Sequence, residues 1–100
     1  IVGSKNDTYS SLARDYKLFT RELLRFNDLK NEQPIEEGAI IYVEKKKKKA
    51  EPLLEKHITD AGDTMYELSQ RYAIQLKYLY KMNNMKSGSE PEAGQIIILR

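Results

Sequence analysis

The sequence predicts an α+β fold made of two small β-α-α-β units, each a helix pair on a two-stranded antiparallel sheet. Three observations carry that reading. Residues 6–43 lie over residues 62–99 without a gap, at an offset of 56, with eleven identical pairs in 38 positions. Within each copy, apolar residues first recur at helical spacing and then give way to a β-branched run, AIIYV or QIIIL. Between the copies stands EKKKKKAEPLLEK, Glu44 to Lys56, whose composition matches neither copy.

The first helix of each unit is placed by Asp-Thr ahead of apolar positions at i, i+3 and i+7: Tyr9, Leu12 and Tyr16 in one copy, Met65, Leu68 and Tyr72 in the other. Thr8 and Thr64 are the expected N-caps. Thr64 with Glu67 reads as a capping box, whereas Ser11 at the equivalent place in the first copy reads as a weaker cap. A second helix follows after a very short turn and turns Leu23, Leu24 and Phe26, or Leu79, Tyr80 and Met82, inward. Asn27 and Asn83 are expected to end it, because Asn tolerates the left-handed backbone common at a helix C-terminus. A polar loop with Pro34 or Pro91, and Gly38 or Gly94, then leads into the last strand. That strand needs a partner, and IVG at the start of copy one and HIT (57–59) at the start of copy two supply it.

This gives three segments: residues 1–43 as the first repeat, 44–56 as a lysine-rich linker and 57–100 as the second repeat. Self-repelling lysines are expected to keep the linker solvated and open, with Pro52 opposing a continuous helix and Leu53 and Leu54 available to dock on a repeat. The charge count narrows the partners. Residues 1–44 carry six Lys/Arg against eight Asp/Glu, and residues 57–100 carry five against five, so the excess of +2 belongs to residues 45–56, with six against two. A nucleic-acid domain spreads basic residues over one face with aromatics interleaved. Specific nucleic-acid binding is therefore not expected, although a lysine run would attract acidic wall polymers in a salt-dependent way.

A unit of about 45 residues is near the lower limit for folding without help. No Cys and a single His leave neither a disulfide nor a metal cluster within the chain, and no cofactor is expected. No stretch approaches the roughly 20 apolar residues of a membrane span, so no membrane insertion is expected. The chain opens on Ile1 without a signal peptide and reads as a segment of a longer protein.

GDT, the Tyr that closes helix one, Asn-Asn closing helix two and PEAGQIIIL, at fixed distances, resemble the LysM domain, a carbohydrate-binding module with a β-α-α-β fold. The second copy carries the resemblance from HITDAGDT through LYKMNNM to the end, and the first is more worn, with Asn6 where the family has Gly. Lys17 and Ala73 stand where family members often have Gly between the helices; a left-handed backbone there costs each about 1 kcal/mol. Phe19 and Gln75 replace the polar cap often found at the start of helix two, with Thr20 as an alternative cap in the first copy.

The resemblance implies binding of β-1,4-linked N-acetylglucosamine polymers, peptidoglycan or chitin, by a monomeric module of the bacterial cell envelope, attached to a larger wall protein such as a hydrolase. In the family the sugar lies in a shallow groove between the loop before helix one and the loop after helix two. Carried over by position, this selects Gly62, Asp63, Thr64 and Met65 with Asn83, Asn84, Met85, Lys86 and Pro91 in copy two. In copy one it selects Asn6, Asp7, Thr8 and Tyr9 with Asn27, Asp28, Leu29, Lys30 and Pro34. Exposed loop backbone suits the amide and hydroxyl edges of an N-acetyl sugar, and Tyr9, Met65 or Met85 suits its C–H face. One repeat should bind weakly, since a neutral hydrogen bond nets only about 0.5–1.5 kcal/mol, and two on a tether gain by effective concentration.

Each of these residues also has a structural reading. Asp7 and Asp63 favour a helix N-terminus through the dipole, Asn27 and Asn83 serve as C-caps, and Tyr9 and Met65 have core spacing as well as groove position. His57 is expected to be structural. An enzyme is not expected: glycoside hydrolysis needs two carboxyl groups about 5–9.5 Å apart across a cleft, and no nucleophile, metal or phosphate motif is present. The rivals to sugar binding are a LysM-fold spacer or protein contact, and a basic helical protein that binds DNA, whose recognition helices would be the mostly apolar RELLRF and KYLYKM.

Overall fold

The computed structural model describes all 100 residues. They form two compact units, Ile1–Lys46 and Lys47–Arg100. In the first unit, α1 (Tyr9–Asp15) and α2 (Thr20–Phe26) are joined by a tight turn through Lys17, which is left-handed at φ 60°. Both copies of that turn lack the Gly that would hold it without strain, because Ala73 takes φ 57° in the same place. Ile1–Gly3 runs antiparallel to the last extended segment through a Val2–Ile40 bridge, with Gly3 N–H donating to Ala39 O and Ile41 N–H to Ile1 O. Gly3 is needed there because a Cβ would lie 2.7 Å from the Ile35 side chain. Tyr9, Leu12, Leu23, Leu24, Ile35 and Ile41 are the buried core.

The second unit repeats the plan with a regular sheet. Strand β1 (Lys56–Ile58) pairs antiparallel with β2 (Ile96–Ile98), His57 opposite Ile97. Helices α3 (Met65–Arg71) and α4 (Leu76–Met82) pack on it around Met65, Leu68, Ile74, Leu79, Ile97 and Leu99, all at 0% exposure. The α+β expectation holds, but the two-stranded sheet expected in each unit is formed only in the second; in the first it is reduced to the single Val2–Ile40 bridge.

Capping departs from expectation in an instructive way. In copy one the box is complete: Ser11 N–H donates to Thr8 Oγ1 (2.9 Å) and Thr8 N–H donates to Ser11 Oγ (3.0 Å). In copy two Glu67 N–H donates to Thr64 Oγ1, but the Glu67 carboxylate accepts from the Thr64 hydroxyl rather than from its backbone. The short serine reaches the cap N–H; the longer glutamate finds the hydroxyl first. At the start of α2, Glu22 accepts from Phe19 N–H and supplies the cap that Phe19 cannot.

The helix ends also correct the sequence reading. Asn27 and Asn83 sit at φ −106° and −103°, and the left-handed residues are their successors, Asp28 (φ 55°) and Asn84 (φ 53°). The asparagine amides do something else. Asn27 Nδ2 donates to Leu23 O and Tyr42 O while its Oδ1 accepts from Tyr42 N–H. Asn83 makes the same three bonds, to Leu79 O, Ile98 O and from Ile98 N–H. Each asparagine therefore bolts the end of helix two to the last strand.

Lys45, Lys47, Lys48 and Lys49 of the lysine run are exposed, as expected, but the run is also tied into the units at two points. Lys46 is buried in the first unit, its Nζ 2.6 Å from Asp28 Oδ2. In the second unit Lys47 bridges to Ile74, accepts from Gln75 N–H and donates to Ala73 O, and buried Ala50 donates to Leu99 O. Within the run the Lys47 backbone finds partners for both its N–H and its C=O. Leu53 does not dock: it is 95% exposed.

Candidate functional site

In each unit the loop before the first helix is a turn closed by the aspartate that precedes the cap. In copy two Asp63 N–H donates to Asp60 O and Asp60 N–H donates to Asp63 Oδ2, with Gly62 left-handed at φ 89°. In copy one Asp7 and Ser4 make the same pair of bonds, but Asn6 closes the turn without a left-handed residue, its N–H donating to Ser4 Oγ. Asp7 and Asp63 are thus turn-formers as well as helix-end charges.

Asp63 has a further partner. His57 Nε2 lies 3.0 Å from Asp63 Oδ2, and His57 Nδ1 lies 2.8 Å from the Tyr72 hydroxyl. Because a carboxylate only accepts, Nε2 carries the proton, and in the neutral ring Nδ1 accepts from Tyr72. The chain Tyr72–His57–Asp63 ties the end of α3, strand β1 and the loop together. The hydrogen bond from His57, backed by that from Asp60 N–H, holds the Asp63 carboxyl below its usual range. Copy one has Ile1 in place of His57 and cannot build this chain.

The loop after the second helix begins with the left-handed Asp28 or Asn84 and then turns Leu29 or Met85 toward its core. Leu29 N–H donates to Leu24 O, and Met85 N–H to Tyr80 O. Lys30 and Lys86 point into solvent, Pro34 is exposed and Pro91 half-buried. In copy two Gln95 braces the loop, accepting from Glu92 N–H and touching Met85 Sδ, while Thr59 Oγ1 donates to Glu92 O.

The two loops meet in each unit. In copy one Ser10, through its N–H and its hydroxyl, donates to the Glu32 carboxylate at 3.0–3.1 Å. In copy two Met65 N–H donates to Glu90 Oε1 at 3.1 Å. Sequence reasoning missed both glutamates because they do not align: Glu32 falls over Gly88 and Glu90 over Pro34. The structure brings Thr8 and Tyr9 to the loop of residues 28–34, and Thr64 and Met65 to the loop of residues 84–91.

Nine of the expected sugar ligands have their side chains engaged within the protein: Asp7 and Asp63 in the turns, Thr8 and Thr64 as caps, Asp28 with Lys46, and Tyr9, Met65, Asn27 and Asn83 in the core and the strand clamp. Tyr9 and Met65 are core residues, 3% and 0% exposed, which decides between their two readings. Asn27 is fully enclosed and, like Asn83, spends its amide on the strand clamp. What remains available is loop backbone, Asn6, Gly62, Asn84, Lys30, Lys86, Pro34 and the half-buried Leu29, Met85 and Pro91. In unit one a depression of about 330 Å³ is lined by Arg21, Leu24, Arg25, Asp28, Leu29 and Lys30; the last three were expected at the site and the first three were not.

Each unit is thus a helix pair with two loops brought together at one end. The LysM domain family model matches residues 4–44 and 57–100, and the chain belongs to that family, whose domains bind and do not catalyse. Among solved structures, the spore cortex-lytic enzyme SleL of Bacillus cereus aligns with 25% sequence identity and a TM-score of 0.44, over 100% of this chain and 22% of that one. No curated protein matches. No helix is long and apolar enough to cross a membrane.

Proposed function

We propose that this chain is a non-catalytic module that binds the N-acetylglucosamine-containing glycan of bacterial peptidoglycan, with chitin as a related ligand, and holds a larger wall protein at the cell envelope. Family membership over both repeats is the observation that carries the reading. The geometry supports it: in each unit two loops converge on a shallow surface rich in backbone groups, with the apolar flank of Leu29 or Met85 beside them. Such a surface suits the amide edge and C–H face of an N-acetyl sugar. Exposed grooves of this kind give weak single-site binding, which a second repeat multiplies.

Retention on purified peptidoglycan and on chitin, with duplex DNA as control, tests the proposal. Binding to either polymer in physiological salt is expected. Retention on DNA with none on either glycan would end it.

A further inference from the structure

We infer that the second helix of each repeat, with the loop that follows it, is a carboxylate-recognising subsite, which fits the module to glycan bearing acidic peptide side chains rather than to neutral glycan. This rests on the glycan-binding reading and sharpens it.

The first observation is which charges survive duplication. Residues 1–44 hold six cations: Lys5, Arg14, Lys17, Arg21, Arg25 and Lys30. At an offset of 56 the first three become Ala61, Gln70 and Ala73, whereas the last three become Lys77, Lys81 and Lys86. Only the cations on helix two and its exit loop keep their charge, through two changes of side chain. Arg21 and Arg25 are four apart on α2, as Lys77 and Lys81 are on α4, so each pair shares a helix face.

A second observation is spatial. Arg21, Arg25 and Lys30 line one depression of about 330 Å³, whose walls include Leu24 and Leu29. Two acids on this stretch are already engaged: Asp28 by Lys46 Nζ at 2.6 Å, and Glu22 by Phe19 N–H. In copy two the same places hold Asn84 and Tyr78, and residues 76–86 contain no acid at all. Both copies therefore present three cations whose local counter-charges have been tied down or removed, by different means. All six side chains are exposed and none forms an ion pair; Arg21 and Lys77 lie over the rings of Phe19 and Tyr78, and Arg25 and Lys81 stand in the last helical turn, which leaves their charges open to a ligand.

The ligand chemistry follows from position. The cluster adjoins Asp28–Lys30 and Asn84–Lys86, part of the groove assigned to the sugar. A chain of N-acetyl sugars is neutral; its peptide-substituted form carries free carboxylates within a side chain's reach of the backbone. Guanidinium and ammonium groups at the groove end would pair with these, while the loops hold the sugar.

The test uses the full chain and three polymers: chitin, peptidoglycan stripped of phosphate polymers by acid, and the same stripped peptidoglycan with its carboxyl groups converted to amides. The protein should be retained roughly 3- to 10-fold better on the carboxylate-bearing wall than on the amidated one, the range expected of a few exposed ion pairs. That advantage should vanish in about 0.5 M salt. The combined variant R21Q/R25Q/K77Q/K81Q should lose the advantage yet bind chitin and amidated wall as the parent does. Equal retention of the parent on both walls, or a variant that keeps the preference, would overturn the subsite and leave the glycan reading standing. Retention on none of the three would take down both.

Discussion

Lys46 Nζ sits 2.6 Å from the Asp28 carboxylate, and the lysine side chain is wholly enclosed while the aspartate is partly open. One member of a five-lysine run is thereby converted from a solvated charge into an internal brace. It holds the left-handed residue that opens the groove loop of the first repeat.

Removing one partner of such a pair should cost far more than removing both charges. Asp28→Asn keeps the backbone preference, as Asn84 shows in copy two, but takes the carboxylate away from a buried ammonium and should destabilise the first unit by about 3 kcal/mol. Lys46→Met in the same background should recover most of it. Burial pushes the Lys46 pKa below 10.5, with Asp28 opposing. The folded form thus binds that proton less tightly than the unfolded chain, so stability should rise as pH rises from the lowered value toward 10.5. Hydrogen exchange of core amides in unit one reads all three effects.

Asp63 gives a dependence of the same sign in the acid range. Its folded pKa lies below 3.8, so its contribution is full above 3.8 and is lost as pH falls through the folded value. Melting followed from neutral to acid pH should show a drop below 3.8 for unit two that flattens in Asp63→Asn and is reduced in His57→Gln. An unchanged acid limb in both variants would disconnect the histidine from the loop.

Asn27→Ala removes three hydrogen bonds and leaves the Tyr42 N–H and two carbonyls without their partner. At about 1 kcal/mol per bond, urea unfolding should report a loss of roughly 2–4 kcal/mol. Asn83→Ala should cost less, because its amide is more open to water.

Lys17→Gly and Ala73→Gly should each raise stability by about 1 kcal/mol, since both residues occupy a left-handed turn that Gly accepts without strain. Thermal unfolding of the double variant checks whether the two gains add.

Groove and frame should separate. Thr64→Ala loses the bond to Glu67 N–H and should cost about 1 kcal/mol with glycan affinity falling only as folding does. Lys86→Ala should weaken retention on peptidoglycan with little change in melting. If retention tracks melting in both, the groove lies elsewhere.

Much of this architecture could be read from the residues. The gapless repeat located every element, because the two copies keep their core spacing and their turn residues at one offset. The pairing of HIT with the last strand could be read from the β-branched runs, whereas its register, His57 opposite Ile97, could not. Side-chain commitments were harder. Tyr9 and Met65 fit both core and groove by spacing, and only packing decides. Glu32 and Glu90 do the same work from unaligned positions, which a comparison of copies cannot detect. Lys46 looked like its four neighbours until its acceptor, eighteen positions upstream, was placed beside it.

The asparagine clamp closes a segment of fixed length, fifteen positions from Asn27 to Tyr42 and again from Asn83 to Ile98. Fastened at both ends, what lies between is free to change without loosening the frame. The copies have used that freedom: from 28 to 35 they share only Lys30 with Lys86, whereas the strand that follows keeps Ile40 and Ile41 as Ile96 and Ile97. One scaffold can therefore carry two loops of different sequence between the same two fastenings.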